Sequence, residues 1–126
     1  MRNGEIIARQ VLGFPMFNHY GIVIDANRGI IGDFGSRKKR VIPFHEFMAN
    51  KKSFELTNSN MVEKSSDEIL NQFEKTTPGP FNLYWNNCAD FMKNFGRPDL
   101  YHAEMKKIAG CAVIILAAII FVVAKS

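Results

Sequence analysis

Two side chains far apart in the chain have the chemistry of a nucleophile and its base. His19 lies in "FNHYGIVID" (residues 17–25) and Cys88 in "YWNNCADF" (residues 84–91). Asn86 or Asn87 offers an N-cap, which predicts that Cys88 sits at or within the first turn of a helix. There unpaired backbone N–H groups and the positive end of the dipole stabilise an anion. A thiol so placed has a lowered pKa, and a neighbouring imidazole lowers it further by ion pairing. Each residue also has a plainer reading. A histidine opening an apolar strand can simply be satisfied by a carbonyl, and most free cysteines are buried structural thiols. The residues alone leave these alternatives open. The histidines are scattered, with His45 on an expected short helix and His102 ahead of the C-terminal apolar run. No paired-ligand spacing occurs, so no metal and no cofactor are expected.

The elements that must bring His19 to Cys88 are legible in outline. "EIIARQVL" is an apolar run between Gly4 and Gly13, and "HYGIVI" is a second, rich in β-branched residues. "DANRG" has turn chemistry and "IIGDF" reads as the returning strand. "VIPFHEFMANK" predicts a strand end and a short helix opened by Pro43, and "SFELTN" a further short strand. "SSDEILNQFEKT" has a strong helix start, with Ser65 or Ser66 as cap and an apolar face of Ile69, Leu70 and Phe73. "TPGPFNLYW" is a punctuated connection. In "NNCADFMKNFGR" the stripe Phe91, Met92 and Phe95 is buried, and Gly96 followed by Pro98 stops the helix. This order predicts an α+β fold, an antiparallel sheet with helices segregated from it.

The C-terminus reads "IAGCAVIILAAIIFVVA" from Ile108 to Ala124, without a charged side chain. At 1.5 Å per residue it spans roughly 25 Å, the short end of what a bilayer needs. It is apolar on every face, and so small a domain could not cover it. It therefore reads as a single-pass tail anchor over 108–124, joined by a juxtamembrane linker (99–107) to a domain over 1–98. Lys106 and Lys107 before the span, against Lys125 alone after it, place the domain on the cytoplasmic side. Cys111 lies inside the span, so an intrachain disulfide with Cys88 is not expected, in keeping with a reducing compartment. The N-terminus, "MRNGEIIARQ", has no apolar signal core. The net charge of +4 comes largely from "RKKR" (residues 37–40). One such cluster without interleaved aromatics does not make a nucleic-acid site; it suits an anionic membrane surface or a solvated loop.

Three short motifs in order resemble the family of lecithin:retinol acyltransferase and the HRAS-like suppressor phospholipases and acyltransferases. Gly4-Glu5-Ile6-Ile7 matches that family's opening strand, and His19-Tyr20-Gly21-Ile22 its histidine box. Phe81-Asn82-Leu83 and Asn87-Cys88-Ala89-Asp90-Phe91 match its cysteine end. The similarity covers roughly Gly4 to Gly96, and some relatives also carry a transmembrane tail. The resemblance implies a circularly permuted papain-like domain with histidine before cysteine. It implies that Cys88 attacks the ester carbonyl of a glycerophospholipid, giving an acyl-thioester. His19 would keep the thiol deprotonated and then protonate the leaving alcohol. Water would complete a phospholipase A1/A2 reaction, and an alcohol or amine an acyl transfer. The backbone N–H of Cys88 would serve as oxyanion donor. Phospholipid and membrane are then the partners, with no nucleic acid and no metal.

The chain departs from the family twice. Its third residue, usually a histidine on the strand after the first box, has no match, and Asp33 in "RGIIGDFG" stands near that place. A carboxylate there can orient His19. It can equally be a turn or surface aspartate. Ala89-Asp90 replaces the usual Glu-His after the cysteine. Tyr20 and Trp85 flank the two boxes, and packing accounts for both as well as a role in guiding an acyl chain does. The same dyad would serve a cysteine peptidase or amidase. A fold that had lost competence would make a non-catalytic membrane-tethered adaptor.

Overall fold

Side chains alternate across a strand, and the alternation along the longest strand divides this domain into two layers. In the computed structural model, β2 runs Phe14–Asp25. Tyr20, Ile22 and Ile24 enter one core cluster and Val23 enters another. The described residues are 1–11, 13–35, 38–76 and 84–125; the side chains of Phe14, Pro15 and residues 84–87 are also outside the description. The expected Phe81-Asn82-Leu83 match, the Asn86 and Asn87 side chains, Trp85 and Arg37 therefore lie outside the described residues.

Five strands form one antiparallel sheet in the order β4-β3-β2-β1-β5. They are β1 (Ile6–Val11), β2, β3 (Ile30–Gly35), β4 (Lys38–Pro43) and β5 (Glu55–Thr57). Helix α1 (Phe44–Met48) packs on one face, where Phe47 and Met48 join Ile7, Val23, Ile31 and Ile42. Helices α2 (Ser66–Lys75) and α3 (Tyr84–Phe91) cover the other. The fold is thus α+β with an antiparallel sheet, as the order of sequence signals indicated.

Phe91 fixes α3 on the sheet. Its ring stacks on Phe34 at 4.1 Å and meets Phe73 of α2 edge-on at 5.5 Å. Burying one such side chain contributes on the order of 2–3 kcal/mol. Ser65 caps α2 by accepting from the Glu68 N–H. A short 3-10 turn (Met92–Phe95) ends at Gly96, whose φ of 76° is the left-handed conformation that suits glycine.

Three local expectations change. His19 does not stand at a strand mouth: β2 begins at Phe14, because β1 and β2 form a hairpin around Gly13 that pairs Arg9 with His19. The basic cluster is not a loop, since Lys38, Lys39 and Arg40 lie on β4. Residues 99–107, expected as a linker, are the opening turns of one continuous helix, α4 (Pro98–Lys125). That helix is long and apolar enough to cross a membrane, and its most apolar window is not covered by the domain.

Candidate active site

The β2–β3 register decides what His19 meets. Gly21 pairs with Asp33, so on the same face His19 comes opposite Gly35 and diagonal to Asp33. The ring Nε2 donates to Asp33 Oδ1 at 2.5 Å, with both side chains buried. The one-residue slip that would have presented Gly32 or Phe34 instead does not occur. Glycine at position 21 is required by this packing: a Cβ there would come within 2.8 Å of the Phe47 ring. Phe47 in turn stacks on the His19 ring at 5.3 Å.

Asp33 has a second partner that sequence reasoning missed. It lies directly opposite Arg40 in the β3–β4 register, and Arg40 Nη2 donates to Asp33 Oδ2 at 2.8 Å. The signal was present as spacing, because Asp33 and Arg40 are equidistant from Ser36-Arg37, but reading β4 as a loop hid it. Lys39, beside it, also has a structural task. Its ammonium donates to the Glu74 and Thr76 carbonyls, closing the C-terminal end of α2. Lys39 and Arg40 are thus tied to the fold by specific partners.

Cys88 is fully buried on α3, and its Sγ donates weakly to the Asn18 carbonyl at 3.8 Å. It lies near enough for its charge to act on the His19 ring. The structure therefore joins His19 to Asp33 directly and sets Cys88 within electrostatic reach of the ring. Burial by itself would disfavour a charged ring. The charge interaction with Cys88 and the hydrogen bond and charge of Asp33 outweigh it, and the His19 pKa is raised from 6.5 to about 9. For Asp33, burial acts to raise the pKa. The hydrogen bond and charge of His19, followed by those of Arg40, prevail and hold it below the ordinary carboxyl value.

One expectation about this cysteine is corrected. Helix α3 already runs from Tyr84, which puts Cys88 in its second turn. The N–H of a residue there closes onto the carbonyl four residues back. The helix uses it, so it is no oxyanion donor. The dipole also fades beyond the first turn, which leaves His19 as the main partner for a thiolate. Asn86 and Asn87 lie within the helix rather than ahead of it. His45 is exposed on α1 and His102 exposed on α4, away from this group.

On the opposite face of β2, Tyr20 is buried and its hydroxyl donates to Glu104 Oε1 at 3.0 Å. Glu104, fully buried on α4, also accepts from Lys107 Nζ at 2.8 Å and from the Asn18 N–H at 3.5 Å. The Tyr20 pKa is pushed up by burial and by the charges of Glu104 and Cys88, against a hydrogen bond with Asn18. Nothing in the sequence singled out Glu104, a lone carboxylate ahead of an apolar run. No family model, characterised protein or solved structure matches the chain.

Proposed function

We propose that the protein is a membrane-anchored thiol acyl-transfer enzyme acting on glycerophospholipids, built on a permuted papain-like domain similar to lecithin:retinol acyltransferase and the HRAS-like suppressor enzymes. The observation that carries this reading is the position of His19, held by a buried carboxylate on Nε2 and interacting with the only cysteine of the domain. With Nε2 committed to Asp33, proton exchange with the thiol runs through Nδ1. A ring with a pKa near 9 is largely protonated at neutral pH, as a thiolate–imidazolium pair requires.

The thiolate of Cys88 attacks the ester carbonyl carbon, forming the C–S bond and an oxyanion. Collapse breaks the C–O bond, and the His19 imidazolium gives its proton to the departing lysophospholipid oxygen. Neutral His19 then takes a proton from water, or from an acceptor alcohol or amine, as that group attacks the thioester. A fatty acid or acylated acceptor leaves, and the Cys88 thiolate and His19 imidazolium are restored. Asp33, with Arg40 behind it, holds the ring's orientation and balances its charge. The C-terminal span would hold the site at the surface where its substrate lies. Lys106 and Lys107 favour a cytoplasmic domain.

The complete burial of Cys88 favours a second reading. In it the thiol is structural and the domain is a tethered adaptor. A cysteine amidase would share the first reading's pair. Mass spectrometry of Cys88 after incubation with mixed phosphatidylcholine separates them. An acyl adduct, absent in His19→Ala, supports the enzyme. An unmodified Cys88 that also resists iodoacetamide in the folded protein refutes it, and an adduct only from amide substrates points to the amidase.

A further inference from the structure

Strand β2 and helix α4 lie side by side over two separate contacts. Near the sheet centre, Asn18 and Tyr20 meet Glu104. Further along, the Met16 thioether lies 3.5 Å from the Cys111 thiol. From Glu104 to Cys111 the helix advances roughly 10 Å. From Tyr20 back to Met16 the strand retreats roughly 13 Å. Strand and helix therefore run alongside each other in opposite directions, and β2 descends toward its own N-terminal end as α4 enters its apolar stretch.

What that descent carries down is the β1–β2 hairpin tip. Residues 11–17 read "VLGFPMF", with no charge and no hydrogen-bonding side chain. Val11 and Phe17 are buried, but Met16 is 57% exposed and Gly13 at the turn is exposed. Polar residues bound the tip immediately: Gln10 on β1 and its register partner Asn18 on β2. On the helix the same level is marked by Glu104 and Lys107, and Cys111 belongs to the uncharged run that begins at Ile108. The hairpin tip thus sits at a depth the helix has already given over to apolar residues, with a polar belt above it on both elements.

We propose that the β1–β2 hairpin tip is a second membrane contact, inserted among the lipid head groups and upper acyl chains beside the anchor helix. The inference rests on the reading of α4 as a membrane span. The occupant it commits to is lipid, because the segment against which the tip is aligned is the one that would lie in lipid. The consequence is geometric. His19, three residues along β2 from Met16, stands roughly 10 Å above that contact, close enough for an ester held at the head-group level to reach the pair without leaving the bilayer. With two contacts, the domain cannot pivot about its tail.

Depth can be read without catalysis. Met16→Trp is introduced with Trp85→Phe in the full chain, reconstituted in phosphatidylcholine nanodiscs. The expected result is blue-shifted emission, quenched by lipids brominated on the upper acyl chain and shielded from aqueous iodide. In parallel, Met16→Glu should lower turnover of bilayer phosphatidylcholine by about tenfold and leave hydrolysis of a dispersed short-chain ester unchanged. Iodide-quenched emission from a chain that stays with the nanodisc overturns the hairpin contact alone. A chain that does not stay with the bilayer overturns this contact and the anchor together. Concentration-dependent shielding from iodide without lipid quenching means that a second copy covers the tip, and also overturns it. Absence of any turnover, with lipid quenching intact, leaves the contact standing and counts only against the enzyme.

Discussion

Adjacent residues on β2 are each held by a buried carboxylate, on opposite faces of the sheet. His19 has Asp33 backed by Arg40; Tyr20 has Glu104 backed by Lys107. Both carboxylates are at most 2% exposed. The arrangements look alike, and what they hold is different. Asp33 grips a ring that titrates within reach of neutral pH, and its charge helps to keep that ring protonated. Glu104 grips a phenol whose ionisation is pushed further out of reach, so the pair is a hydrogen bond and a mechanical tie. One carboxylate tunes the ionisation of a ring, and the other docks the C-terminal helix on the same strand.

The largest expected effect tests whether the His19–Asp33 pair serves a site at all. Cys88→Ser should abolish lipid turnover while the thermal midpoint shifts by only a few degrees, since serine is close to isosteric. Retained turnover would reduce both carboxylates to structural ties. Deleting residues 108–126 should leave a folded domain that hydrolyses dispersed short-chain lipid but acts poorly on bilayers. Aggregation with loss of helical circular dichroism would mean that the span is core.

Asp33→Asn sharpens the contrast. It keeps the shape, removes the charge and leaves the ring free to adopt the wrong tautomer. A fall in kcat of about 10- to 100-fold is expected, or about 1.4–2.8 kcal/mol of barrier. The pH profile adds a second readout. The proposed reaction needs the protonated ring, so wild-type kcat/KM should fall on the alkaline side near pH 9, where His19 loses its proton. Removing the Asp33 charge should move that limb to lower pH; an unmoved limb would deny Asp33 its electrostatic role. The stability linkage has the same sign. The folded-state pKa of His19 is above its ordinary 6.5, so its stabilisation is complete below that value and is lost as pH rises through about 9. Asp33 runs the other way: its contribution is present above the ordinary carboxyl range and lost as pH falls through its lowered value. Urea midpoints across pH would show both.

The smallest effect belongs to the other face. Tyr20→Phe removes one hydrogen bond to Glu104 and should cost about 1 kcal/mol of stability. The alkaline limb of the pH profile should stay where it is. A limb displaced as far as in Asp33→Asn would erase the distinction between the two carboxylates.

Residue patterns carried the antiparallel α+β class, the Ser65 cap, the Gly96 stop and the apolar C-terminal helix, because each depends on neighbours within a few positions. The pairing of Asp33 with His19 was also within reach, since a hairpin at "DANRG" sets which residues face each other. The β4 strand was not, because a basic cluster has the composition of a loop and becomes a strand only when Arg40 and Lys39 find Asp33 and the end of α2. The start of α3 ahead of Cys88 was likewise hidden, since the Asn pair that can cap a helix can also lie inside one. Glu104 shows the limit most clearly. A carboxylate next to an apolar helix carries no local sign of being buried. Its partner Tyr20 lies on a distant strand, and only the packing of α4 along β2 brings acceptor and hydroxyl together. The sequence alone determined the fold class and which side chains can do chemistry; the tertiary structure decided where β4 and α3 form and which side chains meet, because desolvation and pairing depend on distances that the chain's local patterns do not encode.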